Sequence, residues 1–401
     1  MISEIFSLQN PWRNQSEFQF DLKQREILDP LIENIHNELI IGLLGSRQVG
    51  KSSLLYLLID HLLKGNIAST DIFYFNLDDL KLHDLFSSVS DFIRFLGNGS
   101  KRKYVFIDEI QRLNSPGLFL KEVFDLNQNI KIFYSGSSQL EIKAKTKEHL
   151  VGRARVFQIN RLSLDEYVNF AHPIIKKDAL YQIMQYGSYP AVAKQSSQKE
   201  KQLRIKDIYQ SYVQKDLTDF LKLSNIETFN KLLVKLAQQT GELLNINALA
   251  NTLKVSRVEI ERYIDILEYT FICKRIYPFH KNYGKEITKT SKIYFLDLGL
   301  RNFILNNFQS LDLRADIGQL FENFYYTQLV CRDFYSMEKV NFWRTTNQTE
   351  IDFILQDEKG IHAFEVKWSS NKQPKSFYTI KAYYPGIDTQ LININHFLTN
   401  Y

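Results

Sequence analysis

Three groups of side chains in this 401-residue chain have the types and spacing that chemistry needs. The first lies in LIIGLLGSRQVGKS, residues 39–52, where Gly45, Gly50, Lys51 and Ser52 fit G-x-x-x-x-G-K-[ST]. Such a loop turns its backbone N–H groups inward around a phosphate, and its glycines let the backbone approach closely. The helix that follows aims its positive dipole end at the same anion. Residues Gly45, Ser46, Arg47, Gln48, Val49, Gly50, Lys51, Ser52 and Ser53 would form the cradle. Lys51 would reach the terminal phosphates, and Ser52 would offer its hydroxyl to Mg²⁺.

The second group closes YVFIDE, residues 104–109, an apolar strand ending in two carboxylates. Asp108 would hold Mg²⁺ through water, and Glu109 would orient and deprotonate the water that attacks a γ-phosphate. A further strand, 131–135, runs into small polar residues. Ser135, Ser137 or Ser138 would sit beside that phosphate and sense it.

The third group is dispersed over the last 110 or so residues. Glu322 falls on a helical stretch (317–330), Asp352 follows 343–351 on a strand (EIDFIL), and Glu365 and Lys367 alternate on a strand (AFEVK). Residues two apart on a strand share a face. A Glu, then an Asp, then Glu-x-Lys at strand ends is a nuclease-type order. Asp352 and Glu365 would bind Mg²⁺, Lys367 would polarise the attacking water, and Glu322 would assist from its helix. Glu350 would share the face of Asp352.

Positioning the first two groups requires a parallel sheet. Near-continuous apolar strands at 39–44, 72–77, 104–109 and 131–135 alternate with helical stretches such as 54–63. That pattern predicts an α/β fold with both sheet faces covered and a ligand at the carboxyl ends of the strands. The length predicts two to four domains. The divisions expected are a lead-in, 1–36, with a helical part at 22–36; a nucleotide core, 37–160; a helical lid, 161–225, broken at 187–190; a helix-turn-helix with a wing strand, 226–277; and a C-terminal domain, 278–401. Such a lead-in can lie over a base. In the third division, Tyr209, Tyr212 and Val213 would pack. In the fourth, helices at 243–253 and 256–267 would meet at Lys254-Val255, with Ser256 as N-cap and Glu259 completing a capping box. Arg257, Glu261 and Arg262 would face outward, though Glu259, Glu261 and Asp265 weaken a DNA reading. His280, Lys281, Lys285 and Lys289, interleaved with Tyr277, Phe279 and Tyr283, would suit a phosphate backbone.

The net charge of +5 is mild and arises after residue 160, which permits nucleic-acid contact without demanding it. Cys273 and Cys331, far apart, offer neither a disulfide framework nor a zinc pattern, and they point to a reducing cytoplasm. The opening MISEIFSLQNPW lacks a secretory pattern, and no apolar run approaches membrane-spanning length.

The combination of motifs resembles a prokaryotic AAA-type P-loop ATPase family that adds a winged helix and a C-terminal PD-(D/E)XK endonuclease-like domain. The resemblance is carried by NPW at 10–12, GSRQVGKS at 45–52, FIDEIQRL at 106–113, YSGSSQL at 134–140 and HLVGRARVFQINRLSLDEY at 149–167. It continues in GSYPAVA at 187–193, KIYFLDLGLRNFI at 292–304, GQLFENF at 318–324, TEIDFI and AFEVKWS. It implies an αβα ATPase core with a small helical lid, ATP rather than GTP, and Asp108-Glu109 as the Walker B pair. Ser137-Ser138 is similar to sensor 1. Arg153 is the implied charge-stabilising arginine, in cis or in trans, with Arg155 second. Arg161 departs from the family's usual proline. The expected activity is a slow, regulated Mg²⁺-dependent ATPase that moves its lid and C-terminal domain. A DNA-processing nuclease regulated by ATP, and a nucleotide-gated switch for a protein partner, are the alternatives. A homo-oligomer is expected if the arginine acts in trans.

Overall fold

The computed structural model describes residues 2–14, 18–97, 101–126, 129–137, 150–171, 175–211, 225–280, 290–357 and 360–400. The chain divides into two compact units, 1–159 and 160–401.

The first unit is built on five parallel strands: β1 (Ile40–Leu44), β2 (Ile72–Asn76), β3 (Lys103–Asp108), β4 (Ile130–Gly136) and β5 (Ala154–Gln158), in the order β2-β3-β4-β1-β5. Every residue of β1 is buried, as a strand covered on both faces requires. Helix Lys51–Lys64 follows β1 directly and buries Leu54, Leu55, Leu57, Leu58, Ile59 and Leu62.

Strand β2 is an edge, and the lead-in covers it. The Asn10 amide donates to Tyr74 O (2.9 Å) and Phe6 O (2.7 Å), and its Oδ1 accepts from Tyr74 N (2.8 Å). Gln9 accepts from Asn76 N (2.8 Å), and Arg13 donates to Ile72 O (2.8 Å). Side chains thus satisfy backbone groups that an open edge would offer to another strand. Of the helix expected at 22–36, Leu28–Glu33 alone forms, with a turn before it.

In the second unit, β6 (Cys273–Ile276) pairs antiparallel with β7 (Lys292–Phe295). Strands β8 (Lys339–Arg344), β9 (Glu350–Asp357), β10 (Gly360–Val366) and β11 (Asp388–Ile392) form a mixed sheet, order β11-β10-β9-β8. Asp352 lies on β9, where the run EIDFIL predicts a strand, and the β8–β9 turn is closed by Thr345 N–H donating to Thr349 O (2.9 Å). One apolar core joins residues from 162 to 397, including Tyr167, Ile183, Phe271, Tyr294, Phe321, Phe353 and Phe397. It therefore runs through the segments expected as lid, wing and C-terminal domain.

Helices Ile246–Leu253 and Arg257–Tyr269 are joined at Lys254, which takes a left-handed backbone. Ser256 Oγ accepts from Glu259 N (3.1 Å), so the N-cap forms; the Glu259 carboxylate lies 3.6 Å from Arg262. The break at 187–190 separates helices Lys176–Tyr186 and Pro190–Ala193. Tyr209 packs on Phe303, with ring centroids 5.1 Å apart. Tyr212, Val213, Lys281, Tyr283, Lys285 and Lys289 lie outside the described residues, as does Ser138. Both cysteines are buried and no disulfide joins them. Among the described residues no helix is long and apolar enough to cross a membrane.

Candidate functional site

Strand register assembles the site of the first unit. Ser135 on β4 lies opposite Leu43 of β1, and Gly136 opposite Leu44. On the other side of β4, Tyr134 lies opposite Ile107, so Asp108 comes level with Ser135. The loop leaving β1 and the two carboxylates leaving β3 therefore flank the end of β4.

Gln48 and Gly50 take left-handed backbone (φ 60° and 96°), which turns the loop back on itself. A Cβ on Gly45 would meet Ile159 O at 2.2 Å, so only glycine fits there. Lys51 is buried, and its Nζ donates to Gly45 O (3.0 Å) and Ser46 O (2.8 Å). The ammonium is thereby held over the loop. Ser46 Oγ is buried without a hydrogen-bond partner. An orphan hydroxyl inside a turned glycine loop suits an oxyanion ligand. Ser52 and Ser53 follow on the first turn of the helix.

Asp108 is buried, and both its oxygens accept hydroxyl donors: Oδ1 from Ser135, and Oδ2 from Tyr74 (2.9 Å). Burial, then the adjacent Asp108 charge, push the Tyr74 phenol far up, so it is a fixed donor. Tyr56, on the helix after the loop, packs against Tyr74 with centroids 4.7 Å apart. Glu109 takes a left-handed backbone (φ 58°), and its N–H donates to Ser135 Oγ (3.0 Å). Ser135 thus ties both acidic residues together. Ser137 Oγ donates to Glu109 Oε2 (3.3 Å), and the Gln111 amide donates to the same oxygen. Tyr74 and Gln111 were not selected from sequence; a tyrosine inside an apolar strand reads as core.

Arg153 starts from the opposite end of the sheet. Its carbonyl accepts from Ile40 N (2.9 Å), at the beginning of β1. The phosphate loop leaves the other end of that five-residue strand, roughly 16 Å away by strand rise. The Arg153 guanidinium is paired with Asp125 (2.7 Å), and Arg155 bonds to Asn34 Oδ1.

The second unit brings together all four residues of the dispersed group. Lys367 Nζ lies 2.9 Å from Glu365 and 3.7 Å from Asp352. Val366 N–H donates to Asp352 Oδ2 (2.8 Å). Glu322 Oε1 accepts from Tyr294 OH (2.6 Å) and lies 3.8 Å from Lys292 Nζ. Lys292 also pairs with Glu350 (2.5 Å), which meets Arg344 at 3.1 Å. Burial, reinforced by the Asp352 charge, raises both Glu322 and Glu365 above the usual carboxylate range. Burial opposes the charge of Lys292, but Glu322, Asp352 and Glu350 outweigh it. Glu365 Oε2 is buried and has no partner. Among the described residues no set of three or more His, Cys, Asp or Glu is arranged to hold a metal ion. Lys292 and Tyr294 were not selected individually from sequence; their i, i+2 spacing on β7 is the signal that places both on this face.

On helix Arg257–Tyr269 and the neighbouring β6 the arginines are matched by carboxylates. Arg257 pairs with Glu261 (3.0 Å), Arg262 with Glu259 (3.6 Å), and Arg275 with Glu268 and Asp265. Such pairing offsets charge that a phosphate backbone would otherwise meet.

Comparison with known proteins agrees with the first unit's geometry. Residues 37–168 match a family model described as an AAA domain, which supports an AAA-type P-loop ATPase. Residues 177–311 and 317–395 match two models, each described as a domain of unknown function. An uncharacterized protein of Methanocaldococcus jannaschii is 27% identical over 357 residues, covering 80% of this chain and 74% of its own length. One of Haemophilus influenzae is 25% identical over 349 residues, covering 84% of each chain. One of Mycobacterium tuberculosis is 24% identical over 357 residues, covering 87% of this chain and 75% of its own. Among solved structures, the S. cerevisiae Hsp104–casein complex superposes with a TM-score of 0.35 at 13% identity; the match covers 61% of this chain and 50% of that one.

Proposed function

We propose that the first unit binds ATP and hydrolyses it with Mg²⁺. The observation that carries this reading is the meeting of the loop 45–52 with Asp108 and Glu109 around the end of β4. The loop N–H groups, Ser46 and Lys51 would take the phosphates. Ser52 and Asp108 would hold Mg²⁺, a fitting hard-oxygen donor set. Because Tyr74 and Ser135 already donate to Asp108, that carboxylate would meet the ion through water. The ion, when bound, supplies neutralisation of phosphate charge. Glu109 would accept the proton of the attacking water, and Ser137 would respond to the γ-phosphate from the β4 end. Arg153 would serve only a neighbouring chain. The test is ATP binding and steady-state hydrolysis with Mg²⁺. Glu109→Gln should bind ATP and lose turnover, and Lys51→Ala should lose both. Undiminished hydrolysis by Lys51→Ala would sink the reading.

A second reading concerns the second unit: divalent-dependent phosphodiester hydrolysis, on an endonuclease-like arrangement, with ATP as regulator. The unpartnered, buried Glu365 Oε2 beside Asp352 and Lys367 favours it. Two carboxylates with retained waters suffice for Mg²⁺. Plasmid nicking with Mg²⁺ or Mn²⁺ should vanish in Asp352→Ala and Lys367→Ala and survive Lys51→Ala. Nicking that persists in Asp352→Ala would refute it.

A further inference from the structure

The carboxamide of Gln111 lies between Glu109 and Ser137. Its Nε2 donates to Glu109 Oε2 and to Ser137 Oγ (2.9 Å), while Ser137 Oγ donates to that same carboxylate oxygen. The three groups close a small hydrogen-bonded ring. A carboxylate only accepts, so the atom facing it must be the amide nitrogen. The amide oxygen must then point elsewhere, and Gln111 Oε1 is a buried acceptor with no partner, on a residue only 7% exposed. Leaving such an acceptor unmade carries its full desolvation penalty, so its retention calls for an explanation.

Amide bond geometry puts Oε1 about 2.2 Å from Nε2. The orphan acceptor is therefore held close to the Glu109 carboxylate that its own amide nitrogen contacts. Both contacts to Glu109 engage Oε2, and neither engages Oε1. A water attacking a phosphorus has two hydrogens to place and one lone pair to direct.

We propose that Gln111 orients the attacking water together with Glu109, its Oε1 accepting one water hydrogen while Glu109 accepts the proton that is lost. The inference rests on the ATPase reading of this unit. In the step, the water oxygen forms the new bond to the γ-phosphorus. The bond from that phosphorus to the bridging oxygen breaks, and its electron pair leaves with ADP. The water's proton passes to the Glu109 carboxylate. Gln111 exchanges no proton; it limits the directions in which the water can lie. The Nε2 contacts serve the same end by fixing the rotamer of Glu109.

The experiment compares the wild type, Gln111→Leu, Glu109→Gln and the double variant, measuring ATP dissociation constant, KM, kcat and melting temperature. Leucine keeps the volume and removes the polar atoms. The expected result for Gln111→Leu is a kcat lower by about 10- to 100-fold, with KM and ATP affinity within about twofold of wild type. In the Glu109→Gln background, Gln111→Leu should lower the residual rate by less than about twofold, because one water is already unplaced. A merely bracing role would instead lower nucleotide affinity and melting temperature, and it would act in full in the double variant. Should Gln111→Leu fail to fold, Gln111→Asn keeps the amide but draws its oxygen back by about one bond length, near 1.5 Å, and should lose kcat in the same selective way. Wild-type turnover with an undiminished rate in these variants overturns this inference and leaves the ATPase reading standing. ATP binding without turnover in the wild type overturns both.

Discussion

Replacing Asn10 by alanine should destabilise the first unit by about 2–4 kcal/mol, far more than a lead-in residue ordinarily would. Asn10 is fully buried and makes three hydrogen bonds, two of them to the backbone of Tyr74 on the edge strand β2. Alanine leaves the Tyr74 N–H and C=O without these partners. An unmade buried group costs about 1–3 kcal/mol, so the pair accounts for roughly 2–6 kcal/mol before relaxation. Water entering along the sheet edge would recover part of that, hence the lower range. The assay is urea unfolding followed by Trp12 emission. Of the three tryptophans, Trp343 and Trp368 lie in the second unit, so the Trp343→Phe/Trp368→Phe background isolates the signal. Trp12 itself is 3% exposed and packs on Tyr74. The midpoint should fall with the slope unchanged. A loss under about 0.5 kcal/mol at constant slope would refute the clamp. Because the Tyr74 hydroxyl holds Asp108, the same variant should also lower turnover.

Ser163 and Glu166 form a complete capping box at helix Leu164–Phe170; Ser163→Ala should cost about 1 kcal/mol, read by urea unfolding of the second unit. Burial raises Asp316, but Arg314 and Arg301 outweigh it and hold its carboxyl well below the usual range. Its stabilisation is therefore present above the unfolded carboxylate pKa and is lost as pH falls through the lower folded value. Asp316→Asn should cost about 3 kcal/mol at pH 7, since both guanidiniums are buried, and progressively less below about pH 4. A pH-independent difference in melting would contradict that. Arg153→Ala breaks an exposed pair with Asp125 and should change stability by less than about 1 kcal/mol. It should leave dilute turnover intact and lower it only at concentrations where chains associate; a loss at every dilution would restore the in-cis role.

The turned glycine loop and the acidic end of β3 were legible because each is local. Loop, dipole and carboxylates fall within a few residues, and strand alternation or burial marks their neighbours. The helix 51–64 and strands β1 to β4 follow the apolar runs to within two or three residues at each end. The lead-in was less legible. Its polar residues Gln9, Asn10 and Arg13 carry no periodic signal, and their role depends on which strand ends at the sheet edge. The partners of Lys292 and Tyr294 were hidden for a related reason: both residues sit on β7, far in sequence from Glu322 and Glu350, and tertiary packing of the helix 317–331 and of β9 brings them together.

Sequence by itself determined the chemistry available: a glycine loop with Lys51 and Ser52, a carboxylate pair at 108–109, and a Glu–Asp–Glu–Lys set in the last part of the chain. Those assignments depend on residue type and short spacing, which the covalent chain specifies directly. Only tertiary structure decided direction and company. Parallel pairing of β5 with β1 sends Arg153 to the end of the sheet away from the loop, although its motif is intact. The same strand order places β4 between loop and carboxylates, so Ser135 can tie Asp108 to Glu109 and Gln111 can reach Ser137. Hydrogen bonds and ion pairs act over a few ångströms, and a linear chain does not state which distant residues will come that close.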